Sequence, residues 1–261
     1  MIIDSHVHYS PSEDFLKRLF TECDRLKIDK VCLIGKRDEL VSALSFAGAR
    51  VIPLEHIRLG YDREQIVEEA KNSGMMGLKI INPAYNYDDE RAFPIYEKAA
   101  ALNMPILFHL GIVARNDNAT DRRDHHSNRM RPIYLDYIAR NFPKLKIVGA
   151  HLGNPWYEEA SMTGRWNSNV WYDLSGSTLK KKSPAFIRSL FWWDKPNHPY
   201  KAHGGKHPYD KIVFGTDVAV EWMEDVMNDY KRLVDELEVP EEYRRKIFGH
   251  TAAEIFGIPV D

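Results

Sequence analysis

Eight short runs rich in Val, Ile and Leu, at residues 1–3, 31–34, 51–54, 77–81, 106–108, 147–150, 170–174 and 212–214, alternate with amphipathic stretches along this chain. Gly, Pro, Asn or Asp bound the runs, which suits strands buried on both faces. The stretches between them carry helical stripes. Phe15, Leu16, Leu19, Phe20, Cys23 and Leu26 share one face, with Ser12 placed as N-cap. Ile66, Val67 and Ala70 follow Asp62, and Gly74 is placed to end that helix. Pro132 suits the first turn of a helix carrying Ile133, Leu135, Ile138, Ala139 and Phe142. The longest stripe runs from Trp222 through Val226, Met227, Tyr230, Leu233 and Val234 to Leu237.

Strands alternating with helices build a parallel sheet, and eight strands are enough to close one into a barrel. A length of 261 residues is common for such a barrel. The expectation is therefore an α/β chain folded as a (β/α)8 TIM barrel, one domain over residues 1–261. A doubly wound open sheet is the alternative, but it should carry GxGxxG or GxxxxGK[ST], and neither occurs.

The net charge of −2 gives no electrostatic reason to expect nucleic acid or an anionic membrane as partner. Cys23 and Cys32 lack metal-site spacing and read as buried free thiols. No apolar run approaches the roughly 18 residues that span a bilayer. No basic segment followed by an apolar run opens the chain, so the expected location is cytoplasmic. Two connections, 112–131 and 175–210, are longer than a barrel needs and both follow strands, which places them over the face where such folds keep their sites.

His6 and His8 follow the first run. In extended chain, residues i and i+2 point the same way, so two imidazoles can reach one point. Such a pair alone is more often an exposed or satisfied pair than a ligand set. The other candidates change that: His109 follows the fifth run, His151 the sixth and Asp217 the eighth, all at strand ends that a closed barrel gathers into one cup.

These residues, in the segments "FHLG", "AHLG", "YDLSG" and "IVFGTD", together with "GLK" at Lys79 and "IFGHTAAEIFGI" at 247–258, resemble the amidohydrolase superfamily, in particular its amidohydrolase 2 branch. The resemblance runs over nearly the whole chain. His250 stands where that branch commonly has Asn, a departure expected to touch helix packing more than chemistry. It implies a divalent metal held by His6, His8, His109 and Asp217. Zinc suits that set, with Mn, Fe or Co also compatible. An open coordination position would lower the pKa of a bound water towards about 7. Asp217 and His151 would then be the catalytic pair, Asp217 taking and returning the proton and His151 orienting the water or polarising the substrate. Lys79 is expected to contact a substrate anion or join a core ion pair rather than to bridge two metals as a carbamate.

Further candidates rest on position alone. Tyr9 follows His8 and can line the pocket. Arg115 and the other arginines of 112–131 can clamp a carboxylate bidentately, or belong to a solvated loop. Glu55 and His56 follow the third run and can reach the site, or Glu55 can pair with Arg58. Trp192 and Trp193 end an apolar stripe and read as helix packing. The implied activity is hydrolysis of a small carboxylated lactone, amide or ester. Non-oxidative decarboxylation of an aromatic or unsaturated acid, and a non-catalytic metal-binding barrel, are the alternatives. The expected partner is a small anionic substrate, with a homodimer allowed.

Overall fold

Eight parallel strands pair in sequence order: β1 (Ile3–His8), β2 (Lys30–Gly35), β3 (Val51–Ile57), β4 (Gly77–Ile80), β5 (Ile106–Phe108), β6 (Ile147–Gly149), β7 (Val170–Asp173) and β8 (Ile212–Val213). The computed structural model describes residues 1–113, 126–176, 182–193 and 206–260. Two backbone bonds bring β8 back to β1: Ser5 N–H donates to the Phe214 carbonyl at 2.9 Å and Asp217 N–H to the His6 carbonyl at 2.7 Å. The result is a (β/α)8 barrel. Its helices are α1 (Phe15–Leu26), α2 (Arg37–Ala47), α3 (Gln65–Asn72), α4 (Phe93–Ala101), α5 (Tyr134–Asn141), α6 (Tyr157–Trp166), α7 (Pro184–Leu190) and α8 (Met223–Glu236), followed by the short α9 (Glu241–Arg245) and α10 (Thr251–Phe256). Among the described residues, no helix is long and apolar enough to cross a membrane.

The stripe of α1 buries Phe15, Leu19, Phe20 and Cys23, but the helix begins after Asp14 rather than at a Ser12 cap. α2 escapes a periodicity search because only Leu40 and Ala43 of its residues are buried. β1 runs further than its apolar run, so His6 and His8 lie within the strand and not after it. Both cysteines are free and buried.

Side chains alternate along each strand between the helices and the barrel interior. Val31, Leu33, Leu78, Ile106 and Phe108 face the helices. Ile3, Cys32, Ile34, Ile52, Leu54, Leu107, Val148, Trp171 and Val213 fill the interior, joined by Ala252, Ala253, Ile255 and Phe256 of α10. α10 sits beneath the N-terminal ends of the strands and forms the barrel floor. Lys146, just before β6, donates to the Glu254 and Ile255 carbonyls, and a Cβ on Gly77 would come 3.3 Å from the Phe256 ring. One step further up the same inward-facing positions, the residues turn polar. His6 and His8 on β1, His56 on β3, Lys79 on β4, His109 after β5, Asp173 on β7 and Asp217 after β8 form a layer on top of the apolar plug.

Candidate metal centre

A shift of register between Asp4 and Val7 lets β1 carry His6 and His8 to the barrel mouth. Asp4 pins this bulge. Its carboxylate accepts from His6 N–H (3.1 Å), Thr216 N–H (2.9 Å) and the Thr216 hydroxyl (2.6 Å), tying β1 to the turn after β8. Burial pushes the Asp4 carboxyl up to about 6 against the pull of these donors. Asp217 follows with φ +48°, a conformation that L residues seldom adopt, which turns its carboxylate back over the mouth.

Three donor atoms meet there. His6 Nε2 lies 3.3 Å from His8 Nε2 and 3.5 Å from Asp217 Oδ1, and His8 Nε2 lies 3.4 Å from the same oxygen. Ligand bonds of 2.0–2.2 Å in a tetrahedron put neighbouring donors about 3.3–3.6 Å apart. The triangle therefore has the edge lengths of one tetrahedral face, and its donor set of imidazole and carboxylate suits a divalent cation. Both rings are also in a form that can bind. Desolvation in the barrel mouth, with the Lys79 ammonium adding to it, holds His8 down to about 3, so it is neutral at pH 7 even though 48% of its side chain faces the cup.

The tautomer of His6 is set from behind. Its Nδ1 lies 2.9 Å from Asp173 Oδ2, so Nδ1 carries the proton and Nε2 keeps its lone pair for the mouth. Asp173 is fully buried and serves several donors at once. Its Oδ1 accepts from His151 N–H (2.8 Å), Ser175 N–H (3.0 Å) and the Ser175 hydroxyl (2.5 Å). Burial alone would raise this carboxyl, but His6, His151 and Ser175 outweigh it and hold the group below its ordinary value.

Ser175 fixes the next ring in turn. Its one proton goes to Asp173, so its oxygen accepts from His151 Nδ1 at 2.8 Å. His151 Nε2 is left as a lone pair 3.4 Å from Asp217 Oδ2, two proton acceptors set face to face. One proton shared between them resolves that arrangement. His151 itself sits at φ +60°, and Gly176 packs closely against it: a Cβ there would come 3.2 Å from Nδ1, and its φ of +95° favours glycine. Desolvation lowers the pKa of His151.

His109 differs from expectation. The donor atoms of His6, His8 and Asp217 lie within 4.8 Å of one another, and His109 is not part of that group. Its ring meets His151 edge-on with centroids 5.0 Å apart, and its Nε2 is buried without a hydrogen-bond partner. An orphaned buried nitrogen costs about 1–3 kcal/mol, so an atom from outside the protein is its natural complement. The backbone there is tightly held: Tyr87 donates to the His109 carbonyl at 2.8 Å, and at Gly111 (φ +100°) a Cβ would fall 1.9 Å from the Asn154 carbonyl oxygen. Lys79 is fully buried with Nζ 3.1 Å from His6 Nε2, and burial pulls it down to about 8 against the attraction of Asp217 and Asp173.

Tyr9 lines a cavity of about 290 Å³ with His8, Phe15, Arg18, Asp217 and Val220. Glu55 does not reach the site. It faces the helices and takes both of its 3.0 Å bonds from Arg37 rather than Arg58. Its neighbour His56 does face the cup. Trp193 is in the core, whereas Trp192 is exposed with the Arg165 guanidinium over its ring at 4.5 Å. Arg115 lies outside the described residues, as does most of the expected arginine clamp. Sequence reasoning gave Asp173, Ser175 and Asp4 no role. The signal for Asp173 was its place at the inward position where β7 ends.

The family model described as amidohydrolase matches residues 62–258. No curated protein matches the chain. Among solved structures, the chain is similar to an uncharacterized TIM-barrel protein from Bordetella bronchiseptica (14% identity, 98% of each chain covered, TM-score 0.72). It is also similar to 5-carboxyvanillate decarboxylase from Sphingomonas paucimobilis (14%, 99% of each chain, 0.67). A third is a mutant 5-carboxyvanillate decarboxylase from Novosphingobium aromaticivorans with bound manganese and 3-methoxy-4-hydroxy-5-nitrobenzoic acid (16%, 98% of this chain and 97% of that one, 0.64). At these identities the likeness is one of fold.

Proposed function

Because the chain belongs to the amidohydrolase family, we propose that it is a metal-dependent hydrolase of a small carboxylated lactone, amide or ester. His6, His8 and Asp217 would hold one divalent cation, with the unpartnered His109 Nε2 as a further donor. Zinc suits this set, and Mn, Fe or Co share its preferences. When bound, such a cation supplies Lewis acidity that polarises a carbonyl and acidifies water.

The observation that carries the reading is the division of labour within Asp217. Oδ1 faces His6 and His8 at 3.5 and 3.4 Å, while Oδ2 faces His151 at 3.4 Å. Oδ2 takes the proton of the attacking water as its oxygen bonds to the substrate carbonyl carbon. The proton is shared with His151 Nε2, then passes to the leaving oxygen or nitrogen as the carbonyl bond to it breaks. Ser175 and Asp173 keep His151 in the tautomer that permits this. Non-oxidative decarboxylation is the second reading. The same pair would deliver its proton to carbon, and the barrel is one that 5-carboxyvanillate decarboxylases also use.

The test loads the protein with zinc or manganese and screens lactones, amides, esters and unsaturated acids in ¹⁸O-labelled water. Hydrolysis places one labelled oxygen in the product acid. Release of CO2 from a substrate without that label overturns the hydrolase reading.

Lys79 yields a separate expectation. Its ammonium now donates to the lone pair that a metal would use, so it repels the cation and is freed towards the substrate when the cation arrives. Lys79→Met should therefore tighten zinc binding, by about tenfold or more at pH 7, while lowering turnover. A lysine that served as a carbamate ligand would give weaker binding instead. Competition with a chromophoric chelator reads the sign.

A further inference from the structure

α8 buries Met223, Val226, Met227, Tyr230 and Val234, and Tyr230 carries the one hydroxyl of that face. Packing alone does not call for it. The ring meets Phe214 edge-on with centroids 5.0 Å apart and lies 6.3 Å from Phe248, contacts that a phenylalanine would keep. The oxygen does something else. It accepts from Leu174 N–H at 2.6 Å and donates to the Val213 carbonyl at 3.4 Å, and Gly215 N–H acts on it as well. These three groups lie where the sheet gives out, because β7 and β8 pair as far as Asp173 and Val213 and no further. Burial pushes the phenol well above its ordinary value, so it keeps its proton and fills both roles at pH 7.

Leu174 is the link between Asp173 and Ser175, and Gly215 leads into Thr216 and Asp217. The first pair fixes the rings of His6 and His151, and the second holds Asp4 and presents Oδ2 to His151. The two chain ends are packed without slack: a Cβ on Gly215 would come 3.3 Å from the Asp173 Cβ. We propose that Tyr230 is a positioning residue for the proton-handling pair. Its oxygen joins the end of β7 to the end of β8 and so sets the 3.4 Å separation of His151 Nε2 and Asp217 Oδ2. The proposal rests on the hydrolase reading only for what that pair then does. Without the oxygen, Leu174 N–H becomes a buried donor lacking its acceptor, and the backbone between Asp173 and Ser175 shifts to find another. Ser175 moves with it, and its 2.8 Å contact with His151 Nδ1 is lost to a shift of only about 1 Å.

The test compares Tyr230→Phe with Ser161→Ala, which removes a buried hydroxyl bond of like kind, from Ser161 to the Leu190 carbonyl between α6 and α7. Both variants should melt a few degrees below wild type, so loss of stability alone does not tell them apart. Long-range ¹H–¹⁵N spectra, taken before zinc is added, read which ring nitrogen of His151 carries the proton. Wild type and Ser161→Ala should show it on Nδ1, and Tyr230→Phe a mixture of the two forms. Zinc affinity, read by chelator competition, should fall about tenfold in Tyr230→Phe and stay within about twofold in Ser161→Ala. If Tyr230→Phe does not fold, 3-fluorotyrosine incorporated at position 230 keeps the ring and weakens the oxygen as acceptor, and it should move the His151 signals in the same direction. An unchanged His151 tautomer on loss or weakening of the Tyr230 oxygen, or the same change in Ser161→Ala, would overturn the proposal. Absence of zinc uptake by wild type removes the hydrolase reading instead, and the His151 comparison still decides this one.

Discussion

Asp217→Asn should lower kcat by about 10³-fold or more, the loss of a proton acceptor and a charged ligand together. The substitution preserves shape. The Asp217 N–H bond to the His6 carbonyl is a backbone bond and survives it. The side chain changes on both of its faces. A neutral amide oxygen facing His6 and His8 is a poorer partner for a dication than a carboxylate. An amide N–H facing His151 Nε2 donates permanently where Asp217 Oδ2 exchanges a proton. With 24% of the side chain exposed and, among the described residues, only the contacts to His6, His8 and His151, folding stability should move by only about 1 kcal/mol or less. Thermal unfolding and steady-state rates on one preparation check both halves. Retention of more than about a tenth of wild-type kcat would mean that another group handles the proton.

The second large effect is expected at a residue that need not touch substrate. Asp173→Asn replaces an acceptor of four hydrogen bonds with a group that can accept on one side only. Three donors converge on Oδ1, from His151 and Ser175, and one on Oδ2, from His6. The amide oxygen will turn to the three, leaving its NH2 against His6 Nδ1. That contact is relieved when the His6 proton moves to Nε2, which removes the lone pair pointing at the metal centre. Metal affinity should fall about 10–100-fold, and stability at pH 7 by about 3 kcal/mol, because the site is completely buried.

The acid limb of stability should change as well. Asp173 has a folded-state pKa below its unfolded one, so its contribution is complete above the ordinary carboxylate value near 3.8 and is lost as pH falls through the lower folded value. Wild type should therefore lose this stability under strongly acid conditions, and Asp173→Asn should have none of it to lose. Urea unfolding across that range and metal competition at pH 7 are the measurements. Wild-type metal affinity in the variant would show that the tautomer of His6 does not depend on Asp173.

The barrel was legible because strands buried on both faces leave short apolar runs whose number and alternation survive in one dimension. His6, His8 and Asp217 were legible because each stands beside such a run, at the end where a barrel gathers its loops. What was not legible depended on direction. Glu55 and His56 are adjacent, and only the parity of β3 sends one to Arg37 and the other into the cup. His109 sits at the expected strand end, yet its ring packs against His151 instead of closing on the other three donors, a matter of side-chain rotation that spacing does not encode. Asp173 ends an apolar strand and reads as a boundary residue until the ring behind which it sits is known. α2 was hidden because a helix that buries two small stretches of its surface shows no stripe.

The closing contacts of the barrel have a consequence for how the protein is made. Ser5 and Phe214, which join the first strand to the last, are 209 residues apart. At ordinary rates of translation, β1 leaves the ribosome on the order of 10–40 s before its partner exists. Throughout that interval His6 and His8 have no Asp217 opposite them, and the floor formed by α10, which follows β8 in the chain, is made later still. The first and last strands must find each other late, a non-local step of the kind that slows folding. A growing chain thus carries a histidine pair that is open to stray cations well before it carries a selective site.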